Sequence, residues 1–412
     1  MSAQKKDNCG NGWEVSIART FDEVEAIRPI WEKMHNSEDY PVPNADIDRY
    51  LAVLRPQKDQ MQPYVMLFRR EGEPAAMVIA RLEKKHKITC KVGYKVVWRP
   101  SVCALTVVYE GILGQPSNEV CAMLIEELID ALSRGEVDML WFSQLRTNSH
   151  AYKLARKMAG VLSRSYFPRF EPHWQTLIPN HVDEFYKSIP RKWQRDIARC
   201  IRNFEKACSG SINVVCYRQE ADLDHLIDVG SKISASTYKQ ALGVGFVNEP
   251  LTRSLLLQAA KDGWLRAYVL YAKGQPCAFE FGAQYRSIFF PEYMGFDPNW
   301  KSFNPGTILW TKVIEDLCSD PDVSLLDYGF GDALYKRKFG SLSWQEASVF
   351  IFAPRLYPVL VNLADSSIRG LSLGLAFLAN KLDITTKVKR HWRDYLQRTQ
   401  HKKNQKKSGN KR

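Results

Sequence analysis

The sequence lacks the features that mark secreted, disulfide-bonded or membrane-spanning proteins. Nine cysteines lie among 412 residues, with no CxxC pair and no Cys/His spacing that suits zinc. The first thirty residues contain no basic segment followed by an apolar one, so no secretory signal is expected. The longest apolar run, at 371–379, has about half the length that a bilayer requires. These absences predict reduced thiols in a cytoplasmic protein.

The sequence also lacks the patterns of covalent and metal-dependent enzymes. The eight histidines are dispersed, without an HxxxH pair or a Ser-His-Asp order. No Cys or Ser is placed beside a recognisable base, which disfavours a covalent intermediate. We therefore expect neither a metal centre nor a nucleophilic side chain.

Positive charge is concentrated at the C-terminal end. The net charge is +13, and residues 381–412 hold 12 Lys and Arg against two Asp. The rest of the chain is nearly neutral, which disfavours a whole surface that binds nucleic acid. An apolar-rich segment, 356–382, precedes this tail, and such a pair is typical of proteins that lie on an anionic membrane surface. A disordered solubilising tail and a nucleic-acid-binding tail are the alternatives.

The two halves of the chain share one layout. Residues 63–83 and 265–285 both read as a strand, a turn containing Gly and Pro, and a second strand. Each hairpin is followed by another strand, a helix and a closing strand. The helices are predicted at 118–134 and 305–317, and the closing strands at 137–142 and 323–328.

This repeat predicts an α/β (α+β) protein built from two copies of a mixed, largely antiparallel sheet flanked by helices. The copies are placed at 13–175 and 176–353, followed by an apolar helix and a basic tail over 354–412. Only the second copy contains Asp-Tyr-Gly-x-Gly and Tyr-Lys after its closing strand. The second copy is therefore expected to hold the site, and the first to be degenerate and supporting.

The segment after the closing strand of the second copy concentrates candidate catalytic residues. Asp327 is interpreted as a base, as a residue that positions the acceptor, or as an acceptor for loop N–H groups. Lys336, beside Tyr335, is interpreted as a cation that stabilises a developing oxyanion or as a solvated side chain. Glu280 lies in an apolar strand, where a buried carboxylate is costly, so it is either a site residue or a residue of an exposed edge.

Three further patterns point to ligands or, alternatively, to ordinary structure. Asn304, Pro305, Gly306 and Thr307 open an amphipathic helix whose free N–H groups favour a phosphate, or they form a simple cap. Tyr293, in the aromatic run 288–300, lines a substrate pocket or belongs to the core. A helical basic stripe holds a polyanion or faces solvent; its members are Arg191, Arg195, Arg199, Arg202 and Lys206.

The order of these motifs resembles the GNAT-like acetyltransferases typified by CelD-type cellulose-biosynthesis proteins, which are related to the FemAB aminoacyltransferases. The resemblance covers about 180–353 and depends on RKWQRDIARCIRNFEK (191–206), NPGTILWTKVIEDL (304–317) and LLDYGFGDALYKRKFG (325–340). It implies a tandem GNAT-like fold. It also implies that the pyrophosphate of coenzyme A lies at Pro305, Gly306 and Thr307.

Three functions follow as hypotheses. The first is transfer of an acetyl group from acetyl-CoA to an amine or hydroxyl by direct attack on the thioester, without a metal. The second is FemAB-like transfer from aminoacyl-tRNA, with the basic stripe on the RNA backbone. The third is a non-catalytic scaffold. The acceptor stays open between sugar, lipid-linked glycan, peptide and small amine, and the location is expected to be cytoplasmic or peripheral at the inner membrane face.

Overall fold

The fold is described from a computed structural model that covers residues 5–9, 12–93, 95–210, 212–236 and 245–381. The basic tail beyond Lys381, to which the membrane prediction refers, lies outside these residues. No helix among them is long and apolar enough to cross a bilayer.

Strands and helices follow one another in an α/β order. The first part of the chain contains β1 Lys5–Cys9, β2 Trp13–Ala18, α1 Phe21–Ala26, α2 Arg28–Asn36, α3 Ile47–Leu54, β3 Met61–Arg70, β4 Glu73–Lys87, β5 Cys90–Val92, β6 Lys95–Trp98, β7 Ser101–Leu113, α4 Asn118–Ser133, β8 Met139–Arg146 and α5 His150–Met158. The second part contains β9 Arg169–Leu177, α6 Val182–Ser188, α7 Arg191–Cys208, β10 Asn213–Tyr217, α8 Leu223–Ala235, α9 Pro250–Lys261, β11 Leu265–Ala272, β12 Gln275–Tyr285, β13 Ile288–Phe296, α10 Pro305–Cys318, β14 Leu325–Phe330, α11 Leu334–Phe339, β15 Leu342–Phe352 and α12 Leu356–Lys381.

The chain folds into two compact units. The first runs to Glu171 and resumes at Gln345, and the second is Pro172–Trp344. Most of β15 therefore belongs to the first unit, although it follows the second in sequence. The domain ranges 13–175 and 176–353, which were inferred from the sequence repeat, stay a prediction.

The first unit has a mixed sheet in the order β1-β2-β3-β4-β7-β8-β15. Its pairs are antiparallel except β7 and β8, which run parallel from Ala104–Met139 to Val107–Phe142. Apolar residues of α4 and α5 pack on this sheet in a buried cluster that includes Leu124, Leu128 and Ala155. Helix α12 lies against β5.

The second unit has the order β9-β14-β13-β12-β11-β10. Helices α6, α7 and α10 cover one face, where Ile308 and Val313 of α10 are fully buried. Helices α8 and α9 cover the other face, where Phe279 and Phe281 of β12 form the core with Phe246. Both faces are therefore apolar and closed by helices.

The predicted fold class is confirmed: each unit has a mixed, largely antiparallel sheet flanked by helices. Helix α10 begins at Pro305 as predicted, since proline is tolerated in a first helical turn. Both predicted hairpins are present, with Gly72 and Gly274 at positive φ in their turns. The predicted apolar C-terminal helix is α12.

Candidate active site

The central feature of the second unit is a pair of parallel strands that separate. Strands β13 and β14 pair only at Ile288–Leu325 and Phe289–Leu326. Pro291, two residues further along β13, has no N–H for a ladder, so it suits a strand that has lost its neighbour. A bulge at Glu292, between the Phe281–Tyr293 and Gly282–Pro291 pairs, turns β13 further. The residues of β13 beyond Phe289 are only partly buried, and the gap is the candidate cleft.

Helix α10 begins close to this gap. Asn304 caps it in the left-handed conformation, with φ 54° and ψ 52°, and the N–H groups of Thr307 and Ile308 donate to the Asn304 carbonyl. Pro305 has no N–H, which leaves Gly306 as the residue of this turn whose N–H can serve a ligand. A Cβ added at Gly306 would meet only Phe296 Cδ1, at 3.9 Å, so the helix start has room beside it.

An aromatic group lines the α10 face of the second unit. Tyr335 of α11 stacks on Trp310 of α10 at 5.3 Å and meets the edge of Tyr328 at 5.9 Å. Glu280 of β12 is buried on this side. Burial raises the pKa of Tyr335 and Tyr328 above the ordinary range, and the charge of Glu280 adds to both shifts. The charge of Glu280 thus acts on Tyr335 from the same side of the sheet.

Asp327 is held in a buried hydrogen-bond network. His173 Nε2 lies 2.8 and 2.9 Å from its two carboxylate oxygens, and Gln175 Nε2 donates to Oδ2 at 2.8 Å. The N–H of Gly329 donates to Oδ1 at 2.6 Å. His173 stacks on Trp344 with 4.4 Å between ring centroids. Sequence reasoning missed His173, since 154 residues separate it from Asp327 and no local pattern links them.

Lys336 is buried and holds the loop that follows β14. Its Nζ donates to the carbonyls of Gly329 and Phe330 at 3.1 and 2.7 Å. Gly329 and Gly331 have φ of 67° and 89°, which glycine adopts without strain. With Asp327, Lys336 therefore fixes the end of β14, and the glycines serve the turn.

Tyr293 and the basic stripe of α7 are the other candidate substrate residues. Tyr293 points to the α8 face, where it contacts the ring of Phe246 at 5.4 Å. Helix α7 buries Ile197 and Phe204 and exposes its basic stripe, including Arg191, Arg195 and Arg199. Arg199 pairs with Asp196 at 2.9 Å. The amphipathic helix is confirmed, and the ligand roles stay predictions.

The first unit has its own cleft where β7 and β8 separate. It encloses about 450 Å³ and is lined by residues that include Glu38, Asp39, Glu110, Gln144 and Arg146. Glu110 and Gln144 both have φ of 52°, a strained conformation that is common at functional positions. Burial raises the pKa of Glu110 to about 7, against the opposing charge of Arg146. The sequence interpretation of this copy did not anticipate such a cleft.

No cluster of histidine, cysteine and acidic side chains that would hold a metal ion occurs within the described residues. The residues at the α10 start offer a backbone N–H and space, which suit the phosphate of a nucleotide-like cofactor.

Comparison with protein-family models gives a match within the second unit. Residues 191–337 match the family model described as an acetyltransferase (GNAT) domain. No match is found among curated proteins.

Several solved structures are similar to this chain at low identity. A crystal structure of FemX has 10% identity and a TM-score of 0.52, with 82% of this chain and 98% of that chain covered. A tandem GNAT protein from the clavulanic acid biosynthesis pathway has 11% identity and a TM-score of 0.48, covering 84% and 99%. A chain described as the C-terminal domain of a lysylphosphatidylglycerol synthetase from Agrobacterium fabrum has 11% identity and a TM-score of 0.48, covering 84% and 97%. Residues 191–337 of this protein are therefore similar to GNAT-like acetyltransferase domains.

Proposed function

We propose that the second unit transfers an acetyl group from acetyl-CoA to an amine or hydroxyl acceptor. The observation that carries this proposal is the separation of β13 and β14 next to the start of α10. The gap gives an extended cofactor arm access to the sheet, and the helix start offers Gly306 N–H and the positive end of the dipole to a pyrophosphate. The family match over residues 191–337 supports an acyltransferase.

The reaction is direct attack on the thioester. The acceptor nitrogen or oxygen forms a bond to the acyl carbon, the carbon–sulfur bond breaks, and the acceptor proton is lost to a base. Tyr335 is our candidate for donating a hydrogen bond or a proton to the leaving thiolate, because its phenol lies on the α10 face. Burial and the charge of Glu280 raise its pKa, which keeps the phenol protonated and also makes it a weak acid. Glu280 is our candidate for taking the acceptor proton. Asp327 and Lys336 act as positioning residues that hold the end of β14.

Acetyl-CoA binding tests this assignment. We expect Gly306→Glu to weaken binding at least tenfold in isothermal titration, because a carboxylate then faces the pyrophosphate. The helix itself should tolerate the change, since the added Cβ meets no atom closer than 3.9 Å.

The matched control is Asn118→Glu at the corresponding helix start of the first unit. Asn118 is exposed and follows the Ser117 cap, where an added carboxylate suits the helix dipole. This variant should bind acetyl-CoA as the unaltered protein does. If Asn118→Glu loses binding and Gly306→Glu retains it, the donor site belongs to the first unit. Absence of binding by the unaltered protein contradicts acetyl-CoA as the donor.

Aminoacyl-tRNA is the alternative donor, favoured by the exposed basic stripe of α7. If RNA phosphates lay on this stripe, the slope of log affinity against log salt would fall by about 0.7–0.9 for each contact removed. With acetyl-CoA as donor, we expect the triple variant Arg191→Ala, Arg195→Ala, Arg199→Ala to show the same tRNA affinity and salt slope as the unaltered chain. Filter binding from ~50 mM salt upward measures both. A slope lower by about 2 in the variant would favour the tRNA donor.

The identity of the acceptor and the cellular location are also proposals. The acceptor class stays open between sugar, lipid-linked glycan, peptide and small amine. A scaffold function would be favoured if neither donor binds. We propose a cytoplasmic location that extends to the inner membrane face, for which the basic composition of residues 381–412 is the sequence argument.

A further inference from the structure

The first unit carries a cleft that the proposed acyl transfer does not use. It encloses about 700 Å³ beside α12 and is lined by a group that includes Lys91, Tyr166, Phe167, Arg169, Phe170 and Arg369. We call it the α12 cleft. It combines three cations with exposed aromatic rings, an arrangement that neither the core nor the acyl-transfer proposal requires.

The positive charge of the α12 cleft is only partly compensated. Arg369 pairs with Asp365 at 2.6 Å. No carboxylate of the described residues forms an ion pair with Lys91 or Arg169, and the Arg169 guanidinium lies 5.2 Å from the centre of the Phe350 ring. Burial and the nearby charge of Arg369 lower the pKa of Arg169. The charges of Asp365 and Glu171 oppose this pKa shift, but neither Lys91 nor Arg169 is held in an ion pair within the described residues, so both can serve an anionic ligand.

The cleft opens where α12 leaves the body of the first unit. Two contacts fix the helix just before this point. A Cβ at Gly370 would lie 3.2 Å from the Phe167 ring, and the Ser372 hydroxyl accepts the Gly93 N–H at 2.9 Å. The helix residues that follow, 373–378, are all exposed.

The end of α12 is apolar on all sides and exposed. Leu371 and Leu373 are each 57% exposed and, two residues apart, lie on opposite sides of the helix. Leu375, Phe377 and Leu378 are also exposed, as are Phe167 and Phe170 on the rim of the cleft. A helix that is apolar all round is normally covered, and an exposed apolar patch of this kind marks an interaction surface.

We propose that the α12 cleft binds the phosphate of an anionic phospholipid while the apolar end of α12 enters the acyl layer of the bilayer. Charge complementarity favours this occupant, because Lys91 and Arg169 are exposed and line the cleft together with exposed aromatic rings. Aromatic and basic side chains together are suited to the interface between headgroups and acyl chains. The binding residues lie in the folded part of the chain and are distinct from the basic tail.

Vesicle sedimentation with the full-length protein tests this proposal. The probes are vesicles of phosphatidylglycerol mixed with phosphatidylcholine, and vesicles of phosphatidylcholine alone. A basic residue near an anionic surface contributes about 1 kcal/mol, or about fivefold in partitioning. We therefore expect Lys91→Glu, Arg169→Glu to lower partitioning onto the anionic vesicles at least tenfold more than the control Lys33→Glu, Lys58→Glu. The control changes the net charge equally at exposed positions of the same unit.

A second variant tests the apolar contact and does not depend on the charged pair. Leu373→Ser, Phe377→Ser alters exposed residues, so it should fold, and it should also lower partitioning. Addition of about 10 mM inorganic phosphate should leave the bound fraction unchanged. Equal partitioning of the cleft and control variants would overturn the proposal, as would release by inorganic phosphate, which would indicate a free-phosphate site. Acetyl-CoA binding should be unaffected in these variants, so this proposal fails or holds separately from acyl transfer.

Discussion

Replacement of Asp327 by leucine is expected to lower the free energy of unfolding by about 3–5 kcal/mol. The carboxylate is 2% exposed and accepts hydrogen bonds from His173, Gln175 and the Gly329 N–H. Leucine has a similar branched shape but no acceptor, so the buried donors of His173 and Gln175 and the part-buried Gly329 N–H would lose their partner. Each such donor costs about 1–3 kcal/mol when it is left unsatisfied.

Chemical denaturation of Asp327→Leu, Asp327→Asn and a control measures this loss. Asparagine keeps one acceptor oxygen, so Asp327→Asn should lower the free energy of unfolding by less than Asp327→Leu does. The control is Asp332→Ala, five residues further along in the loop that follows β14, where an exposed carboxylate pairs with Arg337. Exposed pairs contribute little, and this variant should unfold within error of the unaltered protein.

The result also separates two roles for Asp327. If both variants at Asp327 keep the stability of the unaltered protein, the network does not hold β14, and a purely chemical role gains support. If stability falls as expected while acetyl-CoA binding by the folded fraction is retained, Asp327 acts by positioning.

Local patterns in the sequence were sufficient for the fold class. The start of α10 at Pro305 and the two hairpin turns depend on residues within a few positions of each other, so their chemistry is readable from the chain. The amphipathic face of α7 is local as well, because a helix brings residues three and four apart onto one side. Pairing between β14 and β9 was not readable. It joins Asp327 to Gln175, and nothing local to either residue indicates the other.

The same limit explains what was missed at the site. Gly329 and Gly331 each have positive φ and no atom within 4 Å of an added Cβ. Their function is to let the backbone turn after β14. Lys336 suggested a catalytic cation because its charge is visible in the sequence, whereas the two carbonyls that it binds are not. The charge of Glu280 acts on Tyr335 only because the sheet and α11 bring the two residues to one face.

A second large effect is expected at Arg266, which joins β11 to α10 within the second unit. Its side chain is 1% exposed. Its Nη1 donates to Gln284 and Asp320, both at 2.7 Å, and its Nη2 pairs with Asp316 at 2.5 Å. The guanidinium also binds the hydroxyl of Tyr268, which donates to Asp316 at 2.7 Å. One residue therefore neutralises two carboxylates at the end of α10.

Arg266→Met should lower the free energy of unfolding by about 3 kcal/mol, near the lower end of the range for removal of one partner from a buried ion pair. The lower end applies because Asp316 and Asp320 are 48% and 19% exposed, so water can partly replace the lost guanidinium. The matched control is Arg253→Met, which removes an exposed pair with Asp224 and should have little effect. Guanidinium denaturation followed by tryptophan fluorescence measures both variants. Because the network holds the far end of α10, Gly306 should keep its position, and we expect acetyl-CoA affinity to stay within about twofold while stability falls. Equal stability of the two arginine variants would contradict this account of Arg266.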